Sequence, residues 1–363
     1  MNKFSKIIGL LCIAACFTAC QKEDEPTIVI PPSEGSSLTL NGLIAAEAGT
    51  SAGNSVFVDF STDKQTSIAR NSWDLGFYSG SDFRVIINHA VGATAIQLNK
   101  TDLNQVTAAD TTALAMNGDL AIGQGAGGFA TIDPVESDLS AYLSGTVIKQ
   151  VSATDADNKV YIINRGAGGL TENRGWQKIR VIRSGAGYTL QYAKITETTF
   201  KTLTVAKDAA FNFKYVSFVK GAVDAEPAKA DWDIEWGFTT YKASATIPYT
   251  FSDFVLINFV NGVTAAEVRF SGADANSTVK YADFTESNLT GITFSGKRDA
   301  LGSNWRVTSP ATSAAVKTDR FYLVKDPAGN VYKLKFVSFI ASDGGVRGKP
   351  VIEYKLVKKH RLG

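Results

Sequence analysis

The hydrophobic and polar positions after residue 37 alternate with a period of two, as side chains do on the two faces of a β-strand. Short runs rich in Val, Ile, Phe, Tyr and Thr are separated by Gly, Asp, Asn and Ser at the spacing of turns. The runs that predict strands include SVFVDFS, FRVIIN, KVYIIN, KIRVIR, YTLQYAKI, FKYVSFV, DFVLINFV, RFYLVK, VYKLKFVSF and VIEYKLV. The pattern therefore predicts an all-β fold whose strands are mostly antiparallel.

One segment departs from this alternation and carries a helical pattern. In TDLNQVTAADTTALAM, residues 101–116, the apolar Leu103, Val106 and Ala109 share one face at helical spacing. Thr101 precedes them as a residue type that caps helices. The sequence predicts one or two helical turns here.

The chain repeats itself once over most of its length. Trp73-Asp74 matches Trp232-Asp233 at an offset of 159 residues, and each pair is followed by Ser-Asp-Phe and an apolar run ending in Asn. The offset ranges from 150, between Glu136 and Glu286, to 171 in the Ser-Asp-Phe motif. Solenoids repeat every 20 to 50 residues. The long period instead predicts two tandem, homologous antiparallel domains, over residues 38–203 and 204–363.

The first 37 residues predict a lipoprotein signal and a tether. Two lysines precede the run IIGLLCIAACF, which is too short to span a bilayer. Phe-Thr-Ala-Cys at residues 17–20 resembles a bacterial lipobox, which makes residues 1–19 the signal peptide and Cys20 the lipidated residue. The charged and Pro-rich residues 20–37 then form a flexible tether. An ordinary secretory signal with an incidental Cys is the alternative.

Charge and cysteine content narrow the possible partners. Removing Lys3 and Lys6 with the signal leaves 37 − 2 = 35 basic residues against 35 acidic ones, so no basic field is available for nucleic acid. Cys12 and Cys16 leave with the signal and Cys20 carries lipid, which excludes disulfides and thiolate metal sites. The predicted membrane contact is the lipid anchor alone.

The order of motifs in the second half resembles the HmuY family of haem-binding outer-membrane lipoproteins. The motifs are FKYVSFVKGAV, ADWDIEWG, RFYLVKDPAGNVYKLKFVSF and VIEYKLVK. The first half carries the same Trp-Asp strand, the Lys100-Thr101-Asp102 stretch and the strand and turn from Val160 to Gly166. The resemblance covers about residues 38–359, as two copies where the best-known family members have one.

The resemblance implies a non-enzymatic haemophore. It implies that haem or a related tetrapyrrole binds between strands and passes to an outer-membrane receptor, with the protein lipid-anchored in the outer membrane and exposed at the cell surface. The residues themselves favour no catalysis, because the chain lacks a Ser-His-Asp order and an HExxH stretch. The alternative function is a surface lipoprotein without haem that binds a protein or a glycan through its loops.

Few side chains are available as haem ligands. Haem iron takes His, Met, Cys or Tyr as its axial ligand. The resemblance implies a pair of His, or Met in some relatives, but neither half has His at those places. Met116 lies in the segment after Lys100-Thr101-Asp102 where the family's first ligand is broadly found, and His89 follows a predicted strand. Met116 and His89 are the candidates, with packing roles open for both, and Tyr stays possible.

Other motifs favour structural interpretations. His360 lies in the terminal KKHRLG and is interpreted as a solvated end. The stretch GQGAGG at residues 123–128 matches the letters of a dinucleotide-binding loop, but no helical pattern follows it, so it predicts a mobile loop that could cover a ligand. Trp73 and Trp232 are interpreted as core anchors. The aspartate after each Trp points to the other face, where it can bond the backbone of a turn.

Overall fold

A computed structural model describes residues 31–122, 128–169, 172 and 174–360. The predicted signal peptide, Cys20 and most of the predicted tether lie outside the described residues, as do the first five residues of the glycine-rich stretch. The fold described below belongs to the unit Pro32–Gly363.

Twenty strands and two α-helices make up the described chain. The strands are β1 (Gly35–Thr39), β2 (Asn54–Asp59), β3 (Lys64–Ala69), β4 (Leu75–Tyr78), β5 (Val85–Ile87), β6 (Thr94–Gln97), β7 (Tyr161–Asn164), β8 (Trp176–Ser184), β9 (Gly187–Lys194), β10 (Lys201–Val205), β11 (Phe213–Ser217), β12 (Gly221–Val223), β13 (Ile234–Lys242), β14 (Pro248–Ile257), β15 (Thr264–Arg269), β16 (Arg306–Val307), β17 (Ala315–Val316), β18 (Arg320–Lys325), β19 (Val331–Ser338) and β20 (Val351–Lys358). The helices are α1 (Ala108–Asn117) and α2 (Leu139–Ser144). Every strand pairing in these sheets is antiparallel, which confirms the all-β prediction.

The helix predicted over residues 101–116 is present but begins later than Thr101. Thr107 precedes α1, and the Asp110 carboxylate accepts a hydrogen bond from the Thr107 N–H at 2.8 Å. Gly118 ends the helix in the left-handed conformation at φ 69°. Leu103 and Val106 are buried but lie before the helix, where Asp102 caps a single 3₁₀ turn, and Ala109 is exposed on α1, so the three do not share one helical face as predicted. The helix is capped at Thr107 and not at Thr101 because the Asp110 carboxylate, three residues after Thr107, completes the hydrogen bonds of the first turn.

The strands form two lobes, one inserted into the other. The inserted lobe, residues 73–226, contains one sheet with strand order β10-β9-β8-β7-β6 and another with order β12-β11-β4-β5. The enclosing lobe, residues 32–70 and 232–358, contains sheets of order β1-β20-β19-β18-β15 and β14-β13-β2-β3, and the short pair β16-β17. The chain thus starts in one lobe, builds the other, and returns to complete the first.

The two lobes have corresponding sheets. The two five-stranded sheets have the same strand arrangement, with β1 at the edge of the enclosing lobe's sheet where β10 stands at the edge of the inserted lobe's sheet. The four-stranded sheets correspond likewise, because β2 pairs with β13 as β11 pairs with β4. This correspondence is what the sequence repeat would produce. The prediction of tandem copies stays a prediction.

Strand pairing crosses the boundary predicted near residue 203, which falls inside β10. Strands β1 and β2 pair with strands of the second half of the sequence, and β10 and β11 pair with strands of the first half. The edge strands β3 and β12 join the same sheets by pairing with β2 and β11. The first three strands of each sequence half thus belong to the lobe that is built mainly from the other half. The division into domains 38–203 and 204–363 stays a prediction from the repeat, while the sheets group the strands differently.

Each lobe buries its own apolar core between its two sheets. The core of the inserted lobe includes Leu75, Phe77, Ile163, Tyr188 and Leu190. The core of the enclosing lobe includes Val56, Trp236, Val255, Tyr332 and Tyr354. A third cluster, around Trp73 and Tyr215, packs against Phe259 and Val260 of the enclosing lobe. The contact between the lobes is therefore partly apolar, and both cavities described below open along it.

Candidate functional site

The two Trp-Asp motifs occupy matching positions in the two lobes. Trp73 and Trp232 are 5% and 7% exposed, and each meets an aromatic ring edge-on, Tyr215 at 4.8 Å and Phe57 at 5.1 Å between centroids. Asp74 accepts a hydrogen bond from the N–H of Phe218 at 2.7 Å, and Asp233 accepts one from the N–H of Phe60 at 2.9 Å. Each motif therefore anchors the core and ties down the turn after a neighbouring strand, as predicted.

The surroundings of the two aspartates differ sharply. Asp74 is ion-paired with Arg165 at 2.8 Å and with Arg174 at 2.6 Å, and the side chains of all three residues are at most 10% exposed. Arg174 also donates to the carbonyl of Trp73 at 2.9 Å. This arrangement neutralises a buried carboxylate with two guanidinium groups.

Asp233 has no lysine or arginine within ion-pairing distance among the described residues. Asp59 and Asp326 lie near it instead, and all three are 5–7% exposed. Burial, and then these two carboxylates, raise the pKa of Asp233 to about 8, against the lowering effect of the hydrogen bond from Phe60. The two motifs thus share a backbone role but not an electrostatic environment.

A small cavity lies between the two lobes. This interlobe cavity has a volume of about 50 Å³ and is lined by the four-stranded sheets of both lobes. Trp73, Tyr142 and Tyr215 of the inserted lobe face Trp232 and Phe259 of the enclosing lobe across it. Its polar lining comprises Ser55, Arg70, His89, Asn212, Glu226, Glu235 and Arg298.

His89, one of the two haem-ligand candidates, lines this cavity with both ring nitrogens facing protein groups. Its side chain is 14% exposed; Nδ1 lies 3.1 Å from Thr239 Oγ1 and Nε2 lies 3.9 Å from Glu235 Oε2. Burial, and then the charge of Arg298, lower the pKa of His89 well below its usual value, so the ring is neutral at neutral pH. A cavity of this size cannot take a macrocycle beside His89 unless the lobes part.

Two glutamates in the interlobe cavity favour their protonated form. Burial raises the pKa of Glu226 to about 8, although the N–H groups of Asn212 and Phe213 each donate to its carboxylate at 3.0 Å. Burial likewise raises the pKa of Glu235 to about 7, and Arg298 opposes that rise. At neutral pH the cavity therefore holds less negative charge than its composition suggests.

A second and larger opening also lies between the lobes. This interlobe cleft has a volume of about 810 Å³, within the 300–1,000 Å³ typical of small-molecule sites. Ile122 and Trp176 of the inserted lobe line it together with Phe238 and Tyr249 of the enclosing lobe. The backbone of residues 166–169, which is mostly glycine, forms a further part of its wall.

Tyr249 is the side chain in the cleft best suited to ligate iron. It is 50% exposed on β14, its ring meets Phe251 edge-on at 5.5 Å, and its hydroxyl has no hydrogen-bond partner among the described residues. No His, Met or Cys is among the described residues that line the cleft. A phenolate oxygen is one of the axial ligands known for haem iron.

The charged groups at the cleft are mostly engaged already. Arg174 pairs with Asp74, and Arg347 pairs with Asp253 at 2.8 Å. Glu172 is exposed and forms no ion pair within 4.0 Å with any described residue. The cleft is therefore lined by a mixture of polar groups, glycine backbone and three aromatic residues, and the charges of its arginines are balanced nearby.

Met116, the other haem-ligand candidate, lies apart from both openings. It is 82% exposed near the end of α1 and lines neither the interlobe cavity nor the interlobe cleft. Met116 and His89 thus share neither opening. His360 is exposed near the terminus, and its N–H donates to the Asn330 side chain at 2.9 Å. Ligation by Met116 or His89 stays a prediction.

Two absences hold for the described part of the chain. No cluster of three or more His, Cys, Asp or Glu side chains there has the geometry of a metal site. No helix in the same residues is long and apolar enough to cross a membrane.

Sequence reasoning missed Tyr249 and the cleft around it. The local signal is weak: along the run YTFSDF of β14, burial increases from the exposed Tyr249 to the buried Phe254 without alternating. One exposed aromatic residue among the 12 Tyr of the chain does not stand out without its neighbours. Trp176 and Tyr249 are 73 residues apart in sequence, and only the lobe arrangement places both on one cleft.

Comparison with known proteins identifies the family. The family model described as HmuY protein matches residues 51–354 in a single stretch, which is most of the chain. No curated protein and no solved structure matches the chain. The family is associated with haem binding. By this match, together with its antiparallel all-β fold, the chain belongs to the HmuY family.

Proposed function

We propose that this protein binds haem, or a related tetrapyrrole, in the interlobe cleft and passes it to an outer-membrane receptor. Membership of a family associated with haem binding makes haem the first ligand to consider. The observation that carries the proposal is a cleft of about 810 Å³ between the lobes whose one tyrosine has no hydrogen-bond partner among the described residues. The protein acts as a carrier and not as an enzyme.

The cleft suits a flat apolar macrocycle. Trp176 and Tyr249 offer aromatic surface from opposite lobes, and Ile122 adds an aliphatic contact. Gly166 and Gly168 have φ of 68° and 50°, which glycine adopts readily. Because glycine has no side chain, the backbone at these two positions can line the cleft directly. Burial of aromatic and aliphatic surface is the main source of affinity for such a ligand. Polar groups at the cleft then fix its orientation.

Tyr249 supplies the axial ligand in this proposal. Its hydroxyl is accessible and faces no competing partner among the described residues, whereas both nitrogens of His89 already contact protein groups. An anionic oxygen ligand favours the ferric state of haem iron. Reduction should therefore weaken binding, which is the opposite of the effect expected for ligation by Met116.

A haemin titration of residues 32–363 tests the proposal. Saturable binding with a shifted Soret band is expected for the parent. Tyr249→Phe should weaken ferric haem binding by at least about tenfold, because it removes the iron–oxygen bond and leaves the aromatic packing. Tyr192→Phe is the matched control, since Tyr192 belongs to the core of the inserted lobe and does not line the cleft.

The variants His89→Ala and Met116→Ala separate the possible ligands. Both should bind haem like the parent if Tyr249 is the ligand. Loss of the Soret shift in either of them, with normal binding by Tyr249→Phe, would assign the iron to the residues predicted from sequence. Absence of a saturable shift in the parent would remove haem as the ligand and leave the protein or glycan alternative.

We also propose that Cys20 anchors the protein in the outer membrane at the cell surface. The proposal rests on the lipobox-like Phe-Thr-Ala-Cys and on the acidic segment that follows it, which resembles an export tag of surface lipoproteins. Buried acyl chains add about 0.8 kcal/mol of membrane affinity per methylene group.

Replacing Cys20 with Ser should therefore release the protein from membranes or leave the precursor unprocessed. The measurement is membrane fractionation together with metabolic lipid labelling of the parent and the variant. Unchanged fractionation and intact labelling of Cys20→Ser would show that another residue carries the anchor.

A further inference from the structure

The interlobe cavity contains an unusual concentration of unpartnered hydrogen-bond donors. Six buried side-chain N–H donors have no hydrogen-bond partner among the described residues, and three of them belong to residues lining this one cavity. The three are Nη2 of Arg70, Nε of Arg298 and Nε1 of Trp232, on residues that are 1%, 3% and 7% exposed. Buried donors are rarely left without an acceptor, so the cavity suits an acceptor-rich occupant.

The two arginines also lack a counter-ion in contact. Arg70 donates from Nε to the carbonyl of Ala52 and from Nη1 to that of Ala90, both at 2.8 Å. Arg298 donates from Nη1 to the carbonyl of Pro134 at 3.1 Å, and its guanidinium lies 5.0 Å over the ring of Tyr142. No carboxylate among the described residues lies within 4.0 Å of either guanidinium group. Buried charges are ordinarily paired.

The acidic groups nearby balance these charges only in part at neutral pH, because Asp133 is ionised while Glu226 and part of Glu235 stay protonated. Glu226 and Glu235 share the cavity, and burial raises the pKa of each, to about 8 and about 7. Asp133 faces Arg298 from the inserted lobe, where burial raises its pKa to about 6. His89 is neutral. Burial lowers the pKa of Arg70 only to about 10, so it keeps its charge.

We propose that the interlobe cavity is a binding site for a small monovalent anion, such as chloride or formate, that bridges the two lobes. The volume of about 50 Å³ corresponds to roughly three or four waters, which admits such an ion and excludes larger organic anions. Arg70, Arg298 and Trp232 supply donors from the enclosing lobe. The aromatic side chains of the inserted lobe close the other side and exclude bulk water.

The anion site and the interlobe cleft have different lining residues, although the Arg70 guanidinium lies 3.9 Å over the ring of Phe238, which lines the cleft. Arg70, Arg298 and Trp232 line the cavity, and none of them lines the cleft. The anion would supply the acceptor and the negative charge that the protein leaves out, and its binding would favour the closed contact of the lobes. Failure of haem binding and failure of anion binding are therefore separate results.

The test uses residues 32–363 with bromide as the probe. Crystals soaked in sodium bromide should show an anomalous peak in the cavity. In solution, the melting temperature should rise saturably with bromide, relative to sodium gluconate at the same ionic strength, because gluconate is too large to enter. Formate in place of bromide distinguishes a carboxylate from a halide as the preferred anion.

Two tryptophan variants give the matched comparison. Trp232→Phe should weaken the bromide effect by roughly tenfold, because one donor to a charged ligand is lost. Trp305→Phe should leave the effect unchanged, since Trp305 Nε1 is also buried and unpartnered but does not line this cavity.

Bromide affinity in the parent should also fall between pH 6 and pH 9 as Glu235 and Glu226 ionise.

Water alone in the cavity, with equal melting in bromide and gluconate, would overturn the proposal. An equal loss of the bromide effect in the Trp305 and Trp232 variants would also overturn it, because the effect would then not depend on this cavity.

Discussion

Replacing Asp74 with Asn should lower the free energy of unfolding by about 3–5 kcal/mol, the usual cost of removing one partner of a buried ion pair. The variant keeps an oxygen that can accept from the Phe218 N–H, but it leaves Arg165 and Arg174 without their shared carboxylate. Typical domains have only 5–15 kcal/mol of stability. Chemical denaturation of residues 32–363 at pH 7 measures the loss.

Asp233→Asn is the matched control, since Asp233 occupies the same place in the other lobe without an arginine. The folded-state pKa of about 8 lies above the ordinary 3.8. The folded state therefore prefers the protonated form, and stability falls as pH rises from about 4 through 8. At pH 7 the Asn variant should be at least as stable as the parent, and its stability should depend less on pH across that window. Equal losses in the two variants would contradict the assigned charge states.

A fragment of residues 72–228 should fold on its own, whereas residues 38–203 should not. The first fragment contains all nine strands of the two sheets in the inserted lobe. The second lacks β11 and β12 and cuts β10, and its strands β1 and β2 lose their partners β20 and β13 in the enclosing lobe. Because the missing strands cover the apolar core, the second fragment should expose it and aggregate or stay unfolded.

Circular dichroism and thermal melting distinguish the two fragments. Cooperative melting of 72–228 with β-type circular dichroism is expected, together with non-cooperative behaviour of 38–203. If 38–203 folded cooperatively and 72–228 did not, the first three strands of each half would pair within their own half, and the exchange between lobes would be wrong.

The sequence predicted the fold class because strand signals are local. Alternation in runs such as KIRVIR and VIEYKLV follows from one buried and one exposed face, and those runs became β8 and β20. The Trp-Asp motifs were also interpretable locally, since a large ring and a neighbouring short carboxylate point to opposite faces of a strand.

The exchange of strands between lobes was not predictable from the same signals. A repeat shows which strands are alike. It does not show whether a strand pairs within its own copy or with the other copy. The first three strands of either half fit both lobes by sequence. The connection from β3 to β4 spans only residues 70–74, and it is here that the chain passes from one lobe to the other.

The candidate site was predictable only in part, for the same reason. His89 and Met116 stood out because their residue types are rare in the chain. Tyr249, Trp176 and Phe238 belong to common types, and they become a site only where two lobes meet. The difference between Asp74 and Asp233 likewise depends on arginines about 90 and 100 residues away from Asp74.

The number of haem molecules bound by one chain tests the central claim most directly. A site shared between the lobes predicts one equivalent, because the two lobes form a single cleft. Spectroscopic titration of residues 32–363 with haemin should therefore reach its end point at one haem per chain. An end point of two would mean that each lobe binds haem separately, and titration without an end point would mean that the cleft is not a haem site.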